Sequence, residues 1–290
     1  MNKLLTTSVI ALSTAIALSG CQKRNESEQK TTVAAPTAQT EQVQAEGDII
    51  VKKEKAKYTL PVCEGKDCNE VDIQRLETNK PWINQVLDKE ILTLSNLQFS
   101  EEVPKPTTIQ ANIDRFLASA KQDTIARGQP VVYSLQVDPD FLGQRGDIAS
   151  FKIITAYYTG GAHGGASDNY YNFDLKQQKL LKLNDIVLPD QQKALHDLVY
   201  GQFIAWVKKN DAKVDLAEYE KLWPFQLNNN FSFTDNGLLF SYGQYEIGPY
   251  VVGMPEFIVP YQQLNGILKP QYMVAPTTDT ANDNAKSSTD

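Results

Sequence analysis

The chain has 290 residues and only two histidines, so few side chains are available for acid–base chemistry. His163 lies in the glycine-rich run Gly160–Gly165, where an imidazole among small neighbours can act as an acid or a base. A nucleophile would have to be Ser167 or a tyrosine, with Asp168 or Asp174 as the orienting carboxylate. The Gly-x-Ser-x-Gly elbow of many hydrolases is absent from the sequence. We therefore assign no catalytic residue.

The glycines around His163 have two interpretations. Successive backbone N–H groups can form an anion-binding nest for a phosphate or a carboxylate. The sequence has no P-loop lysine after them, and glycines that follow a strand are typical of a tight reversal. The reversal is the favoured interpretation.

A second group of candidates lies in the segment 242–250, which glycine and proline bend. Aromatic rings and a carboxylate on such a loop can stack on sugar faces or anchor a protein partner, and they can equally pack the loop onto a sheet. Both interpretations stay open. With His163, the candidate ligand-binding residues are Tyr242, Tyr245, Glu246 and Tyr250.

The cysteines and the remaining histidine favour structural roles. Cys63 and Cys68 are separated by a glycine-containing turn, which predicts a local disulfide in an oxidising compartment. Metal binding is the alternative, but these cysteines with His163 and His196 lack the close ligand pairing of zinc sites. His196 falls on an amphipathic helix and is expected to pack there. We expect no metal and no cofactor.

The first residues predict an exported and lipidated protein. A cationic start, an apolar core from Val9 to Leu18 and the small pair before Cys21 are typical of a secretory signal. The cysteine in that position resembles a bacterial lipobox, which implies cleavage before Cys21 and its acylation by palmitate or similar chains; an ordinary signal peptide with an incidental cysteine is the alternative. Gln22 after the cysteine implies the outer membrane, facing the periplasm.

Composition agrees with a globular envelope protein. The formal net charge is −7 at pH 7, and such a surface repels nucleic acid and attracts basic partners. After Cys21 the sequence has no apolar run near the roughly 20 residues needed to cross a bilayer. The predicted protein is held at the membrane by lipid alone.

Hydrophobic periodicity predicts an α+β fold with antiparallel sheets and packed helices, a two-part body behind a flexible lipidated tether. We expect a hairpin of Tyr58–Pro61 with Val71–Leu76, then helices capped by Asn79 and following Pro106. Val131–Val137 and Phe151–Tyr158 are expected to be strands, and 190–210 is expected to be a helix.

The predicted organisation is a signal peptide (1–20), a linker (21–57), an N-terminal α+β domain (58–147), a C-terminal domain (148–272) and a disordered tail (273–290).

Several dispersed motifs between Ile153 and Leu264 occur in the order of a known domain. They are Tyr157–Gly165, Tyr171–Leu175, Leu180–Ile186, Gly237–Tyr250 and Phe257–Tyr261. In these motifs the chain resembles the RsiV-like extracytoplasmic domain family, shared by the RsiV anti-sigma factor and the peptidoglycan deacetylase PdaC. The resemblance implies a role at the cell wall, because RsiV senses lysozyme by binding it and PdaC acts on peptidoglycan.

Three functions follow as hypotheses. The first is binding of a basic, lysozyme-type muramidase by an acidic surface with tyrosine anchors, which is expected to weaken as salt rises. The second is direct binding of peptidoglycan glycan, which is expected to depend little on salt. The third is a peptidoglycan hydrolase or deacetylase that uses His163 or paired carboxylates.

Overall fold

The computed structural model describes residues 47–97 and 107–273, which belong to one compact unit. The predicted signal peptide, Cys21, most of the linker and nearly all of the tail lie outside the described residues. Among the helices within the described ranges, none is long and apolar enough to cross a membrane.

A six-stranded sheet forms the centre of the unit. Its strands lie in the order of the chain, and every neighbouring pair is antiparallel except the second and third, which are parallel. The strands are β1 (Val51–Lys55), β2 (Glu70–Thr78), β3 (Ser134–Arg145), β4 (Ile148–Tyr158), β5 (Gly165–Asp174) and β6 (Lys179–Leu180). The α+β class is confirmed, with one parallel pair where only antiparallel pairing was expected. The reason is that two helices connect β2 to β3 and return the chain to the same end of the sheet.

Two helices cover one face of this sheet. α1 (Pro81–Leu94) buries Ile83, Leu87 and Ile91, as their spacing predicted. α2 (Ile109–Arg127) begins at Thr108, whose hydroxyl accepts a hydrogen bond from the Ala111 N–H, and ends at Gly128 in the left-handed conformation, with φ of 65°. Asn79, the predicted cap of α1, does not cap it. Lys80 occupies the N-cap position, and the Asn79 side-chain oxygen accepts a hydrogen bond from the Ile50 N–H instead.

The second part of the chain builds a smaller sheet with its own core. β7 (Phe231–Phe233), β8 (Gly237–Ser241) and β9 (Glu256–Pro260) form an antiparallel sheet. The helices are α3 (Leu183–Ile186), α4 (Gln192–Asn210), α5 (Leu216–Leu222) and α6 (Tyr261–Leu264), with 3-10 turns at Tyr250–Val252 and Pro270–Tyr272. α4 buries apolar residues at helical spacing, among them Leu195, Val199 and Phe203, in the same core as the buried faces of β7, β8 and β9.

Strand pairing bears on two of the predicted segments. The hairpin partner of β2 is β1, not Tyr58–Pro61, so the last residues of the predicted linker (21–57) are a strand. The boundary between 58–147 and 148–272 falls in the turn of the β3–β4 hairpin, where the two strands are paired over their whole lengths. The body therefore has two hydrophobic cores, as a two-part body requires, but both parts share the large sheet.

The predicted disulfide is present. Cys63 and Cys68 are bonded within the long connection from β1 to β2. Most of that connection is exposed, so the bond closes a local loop without supporting either core.

Candidate functional site

The glycine run after β4 is a tight reversal that leads into β5. Gly160 and Gly161 have φ of 82° and 101°, a region in which side chains are strained. A Cβ at Gly164 would lie 2.2 Å from the carbonyl oxygen of Tyr157, and one at Gly165 would lie 2.4 Å from the Tyr157 ring. Gly160 and Gly161 have a backbone reason, and Gly164 and Gly165 have a steric one, which supports the structural interpretation of the run. The reversal places His163 at its exposed tip.

The segment 242–250 is held by two of its own predicted site residues. Tyr242 is fully buried, and its hydroxyl donates to the Gln226 carbonyl at 3.2 Å; burial raises its pKa, as does the charge of Glu246. The Glu246 carboxylate accepts from the Gly243 N–H at 2.7 Å and from the Asn228 amide at 2.9 Å. The prediction that Tyr242 contacts a ligand is wrong, because its ring belongs to the core, and Glu246 stabilises the loop.

The other three predicted residues come together. The His163 ring stacks on Tyr250 with a centroid separation of 3.8 Å and an interplanar angle of 15°. Its Nε2 lies 3.3 Å from the hydroxyl of Tyr245, a residue 82 positions along the chain, and the Tyr245 and Tyr250 rings are 5.8 Å apart. We call His163, Tyr245 and Tyr250 the aromatic patch.

Exposed apolar side chains extend this patch. Tyr245 is 51% exposed, and its ring stacks on Trp223 with centroids 6.4 Å apart. Leu222, beside Trp223 in the chain, is 75% exposed, and Val251, beside Tyr250, is 87% exposed. Sequence reasoning missed Leu222, Trp223 and Val251, because their exposure depends on tertiary packing. In the structure, α5 is short and none of its residues is buried.

The loops that carry the patch are fastened to each other. The side-chain oxygen of Gln244 accepts a hydrogen bond from the Ala166 N–H at 2.9 Å, which joins the segment 242–250 to the first residues of β5. A cavity of about 250 Å³ lies beside this bond, and the aromatic residues that line it are Tyr157, His163 and Tyr245.

The residues considered for catalysis are not assembled around His163. Asp168 is paired with Lys152 at 3.2 Å, and the buried Asp174 accepts from Gln177 and Tyr272. The Ser167 hydroxyl accepts from Asn169. The described contacts of His163 are with Gly164 and the two tyrosines of the patch, so these residues form no triad there.

His196 lies on α4, and its ring packs against Tyr200 and Phe225 with centroids 5.8 and 5.4 Å away. This is the structural role its helix position predicted. Over residues 47–97 and 107–273, no group of three or more His, Cys, Asp or Glu side chains is arranged to hold a metal ion.

A second cavity, of about 390 Å³, lies between β5 and the loop before β7. Three of its four asparagines form hydrogen bonds with the backbone. Asn228 donates to the Ser241 carbonyl, the Asn229 side-chain oxygen accepts from the Leu183 N–H, and the Asn230 side-chain oxygen accepts from the Tyr170 N–H. The bond of Asn230 to Tyr170 fixes β5, the strand that follows the His163 loop, against the loop before β7.

Comparison with known proteins places this architecture in context. Residues 184–262 match the DUF3298 family model. That model is described as a protein of unknown function, and the matched segment contains Tyr245 and Tyr250 but not His163. A comparison with curated protein sequences found no match.

Two solved structures are similar over most of the chain. A DUF3298 family protein from Pseudomonas aeruginosa PAO1 is 26% identical, with a TM-score of 0.59 over 79% of this chain and 95% of that one. A DUF3298 family member from Bacteroides fragilis NCTC 9343 is 18% identical, with a TM-score of 0.51 over 77% of this chain and 92% of that one, and shows likeness of fold alone. The likeness extends beyond the DUF3298 segment, and the finer resemblance to RsiV stays a prediction.

Proposed function

We propose that this chain is a lipid-anchored protein of the cell envelope that binds a lysozyme-type muramidase through the aromatic patch. The observation that supports this proposal best is the convergence of His163 with Tyr245 and Tyr250 on one exposed surface. Aromatic rings that converge from two loops and stay exposed are typical of residues that contact a partner. Rings with a purely structural role would be expected to be buried in the core.

The surroundings of the patch favour a protein over a small molecule. Leu222 and Val251 are among the most exposed large apolar residues of the described chain, and in the sequence they are next to Trp223 and Tyr250. Contiguous apolar surface bordered by polar residues marks protein interfaces, where aromatic anchors supply most of the binding free energy. The acidic composition suits a basic partner, because opposite charge accelerates encounter.

Glycan binding is the second candidate, and one observation favours it. The cavity of about 250 Å³ beside Tyr245 has tyrosine rings on its walls and a glutamine amide nearby. Ring faces with a few polar groups are suited to a sugar unit of peptidoglycan. Unlike muramidase binding, this contact would persist at high salt.

The proposal is tested with soluble protein from Gln22 onward, bound to immobilised lysozyme and, separately, to purified sacculi. Tyr245→Ala and Tyr250→Ala are each expected to raise the Kd for lysozyme about tenfold or more, as for anchor residues at an interface. Ile50→Ala, which removes an exposed apolar side chain from the strand end at β1, is the matched control and should leave the Kd within twofold.

Absence of lysozyme binding by the unsubstituted protein would refute the proposal. The glycan-binding candidate would replace the muramidase proposal if the protein binds sacculi but not lysozyme. That binding should be lost in Tyr245→Ala and should not change with salt concentration.

A further inference from the structure

Beside the aromatic patch, one face of the six-stranded sheet is open. Strand register sets two rows of side chains across it: Asp72 lies opposite Gln136, and Gln136 opposite Ala156, while Glu70 and Tyr158 both lie opposite Ser134. These rows line a groove of about 350 Å³. Of the residues that line it, Ser134 and Ala156 are small, whereas Glu70, Gln136 and Tyr158 carry longer side chains.

The groove carries unbalanced negative charge. Two lysines on this face of the sheet are already matched: Lys53 pairs with Asp138, and Lys152 pairs with Asp168. Glu70 and Asp72 are exposed, and within the described ranges neither forms an ion pair. Exposed carboxylates of this kind add little to folding stability, so their charge is available to a partner.

The groove and the patch adjoin each other. Tyr157 lines both the groove and the cavity that contains His163 and Tyr245. The Tyr158 hydroxyl donates to the Gly161 carbonyl at 2.9 Å, which ties the rim of the groove to the loop of His163. A partner seated on the aromatic patch would therefore border the groove that Glu70 and Asp72 line.

We infer that this groove receives lysine or arginine side chains of the protein bound at the aromatic patch. The inference rests on the proposed function, muramidase binding at the aromatic patch. It adds that the groove is the part of the surface that selects a cationic partner. Carboxylates attract the basic side chains, and the tyrosine rings on the rim and in the neighbouring cavity offer faces for cation–π contact. The groove is built from residues 70–158, all outside the segment that matches DUF3298.

This arrangement predicts separate kinetic roles for the two surfaces. Exposed charges at an interface act mainly on the association rate and its salt dependence, whereas buried anchors act on dissociation. Glu70→Gln/Asp72→Asn is expected to lower kon for lysozyme about three- to tenfold at low ionic strength and to flatten its salt dependence. Tyr245→Ala is expected to raise koff instead.

The matched control is Glu77→Gln/Asp147→Asn. It makes the same change in net charge at two exposed residues, one at the opposite end of β2 and one in the turn between β3 and β4. We expect it to change kon by less than twofold. Immobilised oligoarginine serves as a second probe, since it presents basic side chains without a muramidase fold.

The outcomes separate the two proposals. If Tyr245→Ala weakens lysozyme binding while Glu70→Gln/Asp72→Asn behaves like the control, the groove inference is overturned and the proposed function stands. If lysozyme does not bind but oligoarginine does, with dependence on Glu70 and Asp72, the proposed function fails and the groove stands. If neither probe binds, or if the binding of both probes is insensitive to Glu70→Gln/Asp72→Asn, the groove inference is wrong.

Discussion

Tyr245 carries its half-exposed ring on a backbone with φ of 63°, a conformation that bulky residues seldom adopt. Strain of this kind persists only where the surroundings fix it, and here Glu246 and Gln244 hold the loop through hydrogen bonds to backbone N–H groups. On the other loop, Gly164 passes close to the Tyr157 carbonyl. The patch is therefore positioned by backbone constraints, and its rings stay available for contact.

Gly164→Ala tests this dependence on close backbone approach. The new methyl would lie 2.2 Å from a carbonyl oxygen, and backbone cannot move aside as a side-chain end can. We expect the free energy of unfolding to fall by about 1–3 kcal/mol, with weaker lysozyme binding. Gly201→Ala, on an exposed position of α4 with nothing within 4 Å, should instead stabilise the protein by about 0.5–1 kcal/mol. Urea denaturation measures both changes, and equal effects would contradict the argument.

Single residues also show where sequence reasoning succeeds and where it stops. His163, Tyr245 and Tyr250 were identifiable, because rings and an imidazole beside glycines are distinctive. The sequence could not distinguish the buried Tyr242 from the exposed Tyr245, because both belong to the same aromatic and glycine-rich segment. The Tyr242 ring is buried because it directly follows β8, whose residues are all buried. The pairing of His163 with residues some 80 positions away depends on tertiary structure, which no local pattern encodes.

At the scale of elements, a buried asparagine joins the large sheet to the small one. Asn172 on β5 donates to the Phe231 carbonyl at 2.7 Å and accepts from the Ser150 hydroxyl at 2.8 Å. All of these groups are buried, so each depends on the others for its hydrogen bonds. This contact fixes β5 relative to β7, and thereby fixes the strand that follows the His163 loop.

Asn172→Ala is expected to lower the free energy of unfolding by about 2–3 kcal/mol, because it leaves a buried carbonyl and a buried hydroxyl unsatisfied. The matched control, Asn265→Ala, changes an exposed asparagine after α6 and should cost under about 0.5 kcal/mol. Denaturant titration followed by tryptophan fluorescence measures both. A cost for Asn172→Ala as small as that of the control would show that water replaces the lost amide.

Helices were predictable from sequence, while strand pairing was less so. Ile113 and Phe116 recur at the helical period after Pro106, so the position of α2 followed from the sequence, whereas its N-cap, Thr108, was not predicted. β1 escaped prediction because its sequence is mostly lysine and glutamate, without alternating apolar residues. It forms because β2 offers a free edge, and charged side chains are common on edge strands.

Across the whole molecule, the large sheet runs through both predicted domains, because β2 and β3 belong to the first and β4 to β6 belong to the second. The sequence predicted two domains because helical and strand segments occur twice, and composition gives no sign that β3 and β4 pair across the expected boundary. The aromatic patch lies in 148–272, and the acidic groove is lined by residues from both predicted domains, so the proposed surface requires both parts. Separate expression of 58–147 and 148–272 would divide the sheet between its most extensively paired strands.

The proposed anchor is tested by Cys21→Ser, which removes the only thiol in the lipobox-like sequence. We expect the unsubstituted protein to incorporate labelled palmitate and to partition into the detergent phase, since each buried CH₂ contributes about 0.8 kcal/mol and more than one acyl chain is needed for stable anchoring. Cys21→Ser should lose the label and partition into the aqueous phase. Cys63→Ser keeps Cys21 and should retain the label, which separates loss of the lipid site from loss of the disulfide. Label that persists in Cys21→Ser would refute the anchor and leave the binding surface to be explained without a membrane.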